Sequence, residues 1–162
     1  MKNAENAKEL IKQLKDLILK GNAHATLDDA INNIPETVKG TVPDKLPYSI
    51  WQIMEHIRIC QWDILDFSRN PGYKEMNWPA DYWPKEKAPK NNAEWDNSIK
   101  QIKIDRKNFI ALLEKDNVDL YTPFAWGNGQ NLLREALLIA DHNSYHTGEI
   151  IVLRRLLNNW KS

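Results

Sequence analysis

His142 and His146, in the stretch Asp141-His142-Asn143-Ser144-Tyr145-His146, are two of only four histidines in 162 residues. Four residues apart on a helix, their imidazoles rise from one face about 6 Å apart along the axis, which is bidentate metal-ligand spacing. His56 sits three residues after Ile53 and four before Cys60 in another apolar helical pattern, so it faces the same kind of interior. Three neutral imidazoles from two helices leave one coordination position of a divalent ion open, as a catalytic centre requires. With no charged ligand the ion keeps its full positive charge, which acidifies a bound water or thiol and turns it into a nucleophile. The competing reading is a helical bundle with hydrogen-bonded core histidines and no metal.

Two established metal templates do not fit. A zincin helix carries glutamate directly after its first histidine as the general base, and this chain has Asn143 there. Ferritin-like di-iron sites need glutamate three residues before each histidine, and those positions hold Ile53, Ile139 and Asn143.

Several neighbours carry two readings. Glu149 lies three residues past His146 on the ligand face, so it is either a base or substrate-orienting group, or a surface carboxylate near Arg154 or Arg155. Asp141 precedes His142 and points away from it. His24 continues the stripe Leu10, Leu14, Leu17 and Gly21, which makes it an inward residue that lines a substrate pocket as an acid or base, serves as a fourth ligand, or packs in the core. Cys60, one turn past His56, is soft enough to ligate a metal, but its place among Ile53, Ile57 and Ile64 fits a small core hydrophobe. Trp126, just before the last helical segment, is the aromatic best placed to approach the substrate pocket. Trp78, Tyr82 and Trp83 either roof a pocket or brace a crossover loop.

These side chains need helices to hold them, and helical periodicity dominates the chain. The first segment runs from about residue 4 to 34, interrupted at Gly21 and Asn22 and stopped by Pro35. The second follows Pro47, with Ser49 and Gln52 as a capping box, and ends at Asn70-Pro71-Gly72. The third opens on Asn91 and Glu94 and reaches about residue 116. The fourth has Asn131 as N-cap and continues almost to the end; its run Ala136 to Ala140 is apolar all round, the mark of a helix buried on more than one side. The connection from about 70 to 90 is long for antiparallel neighbours and lets the second and third helices run parallel. The expected fold is all-α, one four-helix bundle spanning residues 1–162.

Composition narrows the function. Lysine plus arginine number 22 and aspartate plus glutamate 22, so no net charge steers the chain to nucleic acid or anionic lipid. A single cysteine excludes an intrachain disulfide and fits a reducing compartment. The polar first residues lack the apolar core of a signal peptide, and no apolar run is long enough to span a bilayer. A cytoplasmic protein is expected.

The stretches Leu46-Pro47-Tyr48-Ser49-Ile50-Trp51-Gln52-Ile53-Met54-Glu55-His56 and Asp141 to Glu149 resemble the DinB superfamily of YfiT-like metal-dependent enzymes. Asn77-Trp78-Pro79-Ala80-Asp81-Tyr82-Trp83-Pro84 and Pro123-Phe124-Ala125-Trp126-Gly127-Asn128-Gly129 are similar to one branch of it. The resemblance implies an up-down-down-up four-helix bundle holding a divalent metal, zinc or nickel, on His56, His142 and His146. It also implies a small-molecule substrate, in some relatives a low-molecular-weight thiol, and is compatible with a homodimer. The activity implied is a thiol transferase or hydrolase; a non-catalytic metal-binding or ligand-sensing bundle is the alternative.

Overall fold

The structure, a computed structural model, describes residues 2–160. These form six helices and no strand: α1 (Lys2–Lys20), α2 (Leu27–Ile31), α3 (Glu36–Lys39), α4 (Ile50–Arg69), α5 (Asn92–Leu113) and α6 (Leu132–Leu156). The first expected helix is in fact two. Gly21 and Asn22 adopt φ of 63° and 41°, left-handed values that stop α1. A new capping box then starts α2, in which the Thr26 side chain accepts from the Asp29 backbone N–H and Asp29 accepts from Thr26 N–H. This break corrects the expectation for His24. The apolar stripe of α1 does not continue through it; His24 is exposed, with Nδ1 2.8 Å from the Ala25 carbonyl, and lines no pocket at the histidine pair.

The other long helices begin where their caps were expected. Ser49 and Gln52 form the reciprocal capping box of α4. Asn91 Oδ1 accepts from Glu94 N–H at the start of α5, and Asn131 Oδ1 accepts from Arg134 N–H at the start of α6, both at 2.9 Å. α5 ends at Leu113, a few residues short of the expected 116.

α4 is the central helix, packing on both α5 and α6, while α1 and α2 lie against α6. Two apolar clusters result. One joins Ile50, Ile53, Met54 and Ile57 of α4 to Ala30, Ile31, Ile102 and Ile150; the other joins Ile64 and Leu65 to Leu14, Phe109, Leu113 and Ile139. On α6 the histidines fall between Ala140, which belongs to one cluster, and Ile150, which belongs to the other. They therefore form a polar band between two packed regions whose burial holds the helices in place.

The crossover between α4 and α5 folds back over the start of α4. Ser49 Oγ donates to the Lys87 carbonyl and Gln52 Nε2 to the Pro84 carbonyl. The two cap residues thus serve the helix and the loop together. Gly40 permits the closest approach on this side: a Cβ there would lie 2.3 Å from Ala88 Cβ.

Candidate metal centre

His56 rises from the second turn of α4, and His142 and His146 from consecutive turns of α6, the helix that packs against it. The ring centroids are 5.0 Å apart for His56 and His142, 4.7 Å for His56 and His146, and 4.5 Å for His142 and His146. His56 and His146 are buried, at 2% and 7% exposure, and His142 is partly buried.

Hydrogen bonds set which nitrogen of each ring is free. His56 Nδ1 lies 2.8 Å from the Tyr82 carbonyl oxygen, which can only accept. The proton therefore sits on Nδ1, and Nε2 carries a bare lone pair. His146 Nδ1 lies 2.7 Å from Glu149 Oε2, and an ionised carboxylate, which only accepts, likewise leaves its Nε2 bare. A partner on the far nitrogen is how metal-ligating histidines are oriented. His142 Nε2 stands 3.2 Å from His56 Nε2. That separation matches the edge, about 3.3 Å, of a tetrahedron with zinc–nitrogen bonds of about 2.0–2.1 Å.

Two buried atoms beside the site have no partner, His142 Nδ1 and Asn143 Oδ1. With a ligand on Nε2, His142 would carry its proton on Nδ1, and Asn143 Oδ1 is an acceptor that lacks a donor. The ε nitrogens of His56 and His142 fit two positions around a divalent ion on these grounds, and His146 joins them by the position of its ring. Asn143 also steadies the helix pair beneath: its Nδ2 donates to Gln61 Oε1, and Gln61 Nε2 donates to the Ile102 carbonyl of α5.

Burial and mutual repulsion keep the imidazoles neutral. Desolvation first, then the facing imidazoles, hold His142 and His146 down at about 4. Burial lowers His56 as well, against the pull of its bond to Tyr82. The histidines therefore take up fewer protons in the folded than in the unfolded chain. Their contribution to stability is complete above the ordinary histidine value of about 6.5 and is lost as pH falls toward 4. In an NMR titration of the metal-free protein, the ring protons of His142 and His146 are expected to move with midpoints near 4. Midpoints near 6.5 would mean that the rings are solvated and the site is not formed.

Cys60 belongs to the neighbourhood. Among the described residues, His56, Cys60 and His142 form the group whose ligand atoms all lie within 4.8 Å of one another, and that group could hold a metal ion. Cys60 Sγ is nearly equidistant from the two ring nitrogens of His56, at 3.6 and 3.7 Å. It therefore rests against the ring instead of extending the line of the Nε2 lone pair. Burial pushes its thiol up to about 12, so the sulfur is protonated in the metal-free protein.

Residues that spacing did not single out as site partners come from the crossover and from the turn before α4. Trp83 stacks on the His56 ring at 3.9 Å and 5°, and Tyr48 stacks on Trp83 at 4.0 Å and 13°. The Tyr82 contact uses a backbone carbonyl, for which no side-chain pattern gives a signal. Trp83 did have one, in the aromatic and proline density of its loop, although that density fits bracing equally well.

Glu149 is where helical geometry put it, and burial raises its carboxyl above the usual range. An apolar cavity of about 330 Å³ opens beside it, walled by Tyr48, Ile53 and Val152. Trp126 faces elsewhere. Its Nε1 donates to the Phe67 carbonyl, and it lines a separate cavity of about 380 Å³ with Asp63 and Glu135. Asp141 is exposed.

The profile of the DinB superfamily matches residues 22–150, which contain all three histidines, and the chain belongs to that superfamily. No curated protein matches the chain, and no solved structure does. No helix among the described residues is long and apolar enough to cross a membrane.

Proposed function

We propose that His56, His142 and His146 hold one divalent ion, zinc or nickel, in an enzyme that transfers a thiol to, or hydrolyses, a small electrophilic substrate. The observation that carries this reading is the pair of ε nitrogens 3.2 Å apart, with His56 locked by the Tyr82 carbonyl so that its lone pair points at the gap. When bound, the ion supplies the positive charge that brings the pKa of a water or thiol toward neutrality.

The protein's own residues do the rest. His56 and His146 are oriented by Tyr82 and Glu149, and the half-buried Trp83–Tyr48 stack covers one face of the His56 ring. Glu149 is placed to take a proton from a group arriving through the apolar cavity at its side. That cavity selects a substrate with an apolar portion.

Membership in the superfamily supports the up-down-down-up order. So do the contacts of α4 with α5: Trp51 meets Trp95 near both helix starts, with ring centroids 6.1 Å apart, and Gln61 reaches Ile102 further along. Early residues meet early ones and later residues meet later ones, as in parallel helices. A single bundle in a reducing cytoplasm, acting alone or as a homodimer, completes the reading.

A non-catalytic metal-binding bundle remains the second reading, favoured by one observation. Cys60 lies within reach of the same group, and a fourth protein ligand would close the site. Assays of thiol conjugation and ester hydrolysis with added zinc or nickel separate the two. Activity is expected in the wild type and is expected to be lost in His56→Ala; activity that persists in His56→Ala would remove the proposed mechanism.

A further inference from the structure

We propose that Asp63 is a positioning residue of the metal centre, acting through Tyr82 to fix the ring of His56. The inference rests on His56 being a ligand, but its core is a statement about the imidazole that can be tested without metal.

Asp63 projects from α4 two turns beyond His56. Its carboxylate accepts two hydrogen bonds, from Tyr73 Oη at 2.8 Å and from Tyr82 Oη at 2.9 Å. Both tyrosines belong to the crossover, so one carboxylate fastens the loop near its beginning and again where it returns to the site. The second fastening matters for chemistry. Tyr82 spends its hydroxyl on Asp63 and its backbone carbonyl on His56 Nδ1, 2.8 Å away. Trp83, the next residue, covers the His56 ring with a stack at 3.9 Å. Tyr82 is itself buried, at 9% exposure. Moving Tyr82 would therefore release the hydrogen bond that sets the ring's tautomer and disturb the stack that sets its plane.

Stability alone does not call for this arrangement. Among the described residues no lysine or arginine pairs with Asp63, and the two hydroxyls are its hydrogen-bond donors. Burial raises its carboxyl above the usual range, with Asp66 and Glu75 adding repulsion and the two hydroxyls opposing. A half-buried carboxylate held by neutral donors is a poor staple compared with packed apolar side chains. It is a good clamp, because two directed bonds fix the loop's distance and orientation where apolar contact would let it slide.

The test compares Tyr82→Phe with Tyr73→Phe. Each removes one hydroxyl from the same carboxylate and keeps the ring, but only Tyr82 carries the carbonyl bonded to His56. Zinc affinity is measured by competition with a chelator, and the His56 tautomer by nitrogen-15 NMR of the metal-free proteins. Tyr82→Phe is expected to weaken zinc binding by about 10-fold or more, the range for losing a ligand's orienting partner. It is also expected to convert His56 from one Nδ1–H tautomer to a mixture. Tyr73→Phe is expected to stay within about twofold of wild type on the same scale, with the tautomer unchanged. Equal losses in both variants, or wild-type behaviour in Tyr82→Phe, would overturn the proposal, since a clamp that only stabilises the fold does not distinguish the two. A wild-type His56 protonated on Nε2 would overturn it whether or not zinc binds. Failure of the wild type to bind zinc with His56 still protonated on Nδ1 would instead bring down the metal reading and leave the positioning of His56 supported.

Discussion

Replacing His142 with alanine is expected to lower zinc affinity by more than 100-fold, beyond the 10- to 100-fold range for losing an orienting partner alone. His142 supplies the nitrogen 3.2 Å from that of His56, and no other described nitrogen stands in that position. The fold should survive the change. His142 brings a buried nitrogen with no partner, so its loss removes a desolvation cost along with some packing. The effect is therefore seen where metal is present: zinc at 100 times its dissociation constant stabilises the wild type by about 2.7 kcal/mol, and this gain disappears in the variant. Thermal denaturation with and without zinc reads both quantities. A zinc-dependent increase in melting temperature that survives in His142→Ala would contradict the account.

The largest effect on the fold is expected at Arg154, on α6 beyond the histidines. It is 6% exposed and stitches together chain segments far apart in sequence. Nη1 donates to the carbonyls of Ala30 and Asn32, at 2.8 and 3.0 Å, where α2 ends with carbonyls that need donors. Nε and Nη2 donate to the Asn159 carbonyl, and the guanidinium lies over Trp160. Arg154→Met keeps much of the volume and strands these carbonyls, so unfolding free energy should drop by about 3 kcal/mol. Arg154→Lys should recover only part of this, because one ammonium cannot match a planar fork of donors. Denaturant titration measures both. A loss below about 0.5 kcal/mol in Arg154→Met, the level of an ordinary surface change, would show that the stitching is not structural.

The convergence of the three histidines was legible in the sequence because helical periodicity converts spacing into direction. His142 and His146 share a face by arithmetic, and Ile53 three residues before and Cys60 four residues after place His56 toward the interior. The caps were legible for the same local reason: Ser49, Asn91 and Asn131 act within three residues of themselves. His24 was misread because the α1 stripe was carried through Gly21, where a left-handed residue ends the helix and resets the phase. Trp126 was misplaced because distance along the chain does not show on which side of α4 a loop returns. Tyr82, Trp83 and Asp63 depend on the path of the crossover, and the decisive contact of Tyr82 is made by a backbone carbonyl. Nothing in the type of a side chain records where its own carbonyl points.

The central claim is that three imidazoles, and not the neighbouring sulfur, hold the metal. X-ray absorption at the zinc edge of the tag-free, zinc-loaded protein tests this directly. The account predicts one zinc per chain, nitrogen scatterers at about 2.0–2.1 Å with the multiple scattering of three imidazoles, and no sulfur shell. A sulfur shell at about 2.3 Å would place Cys60 in the coordination sphere and contradict the account, as would less than stoichiometric zinc.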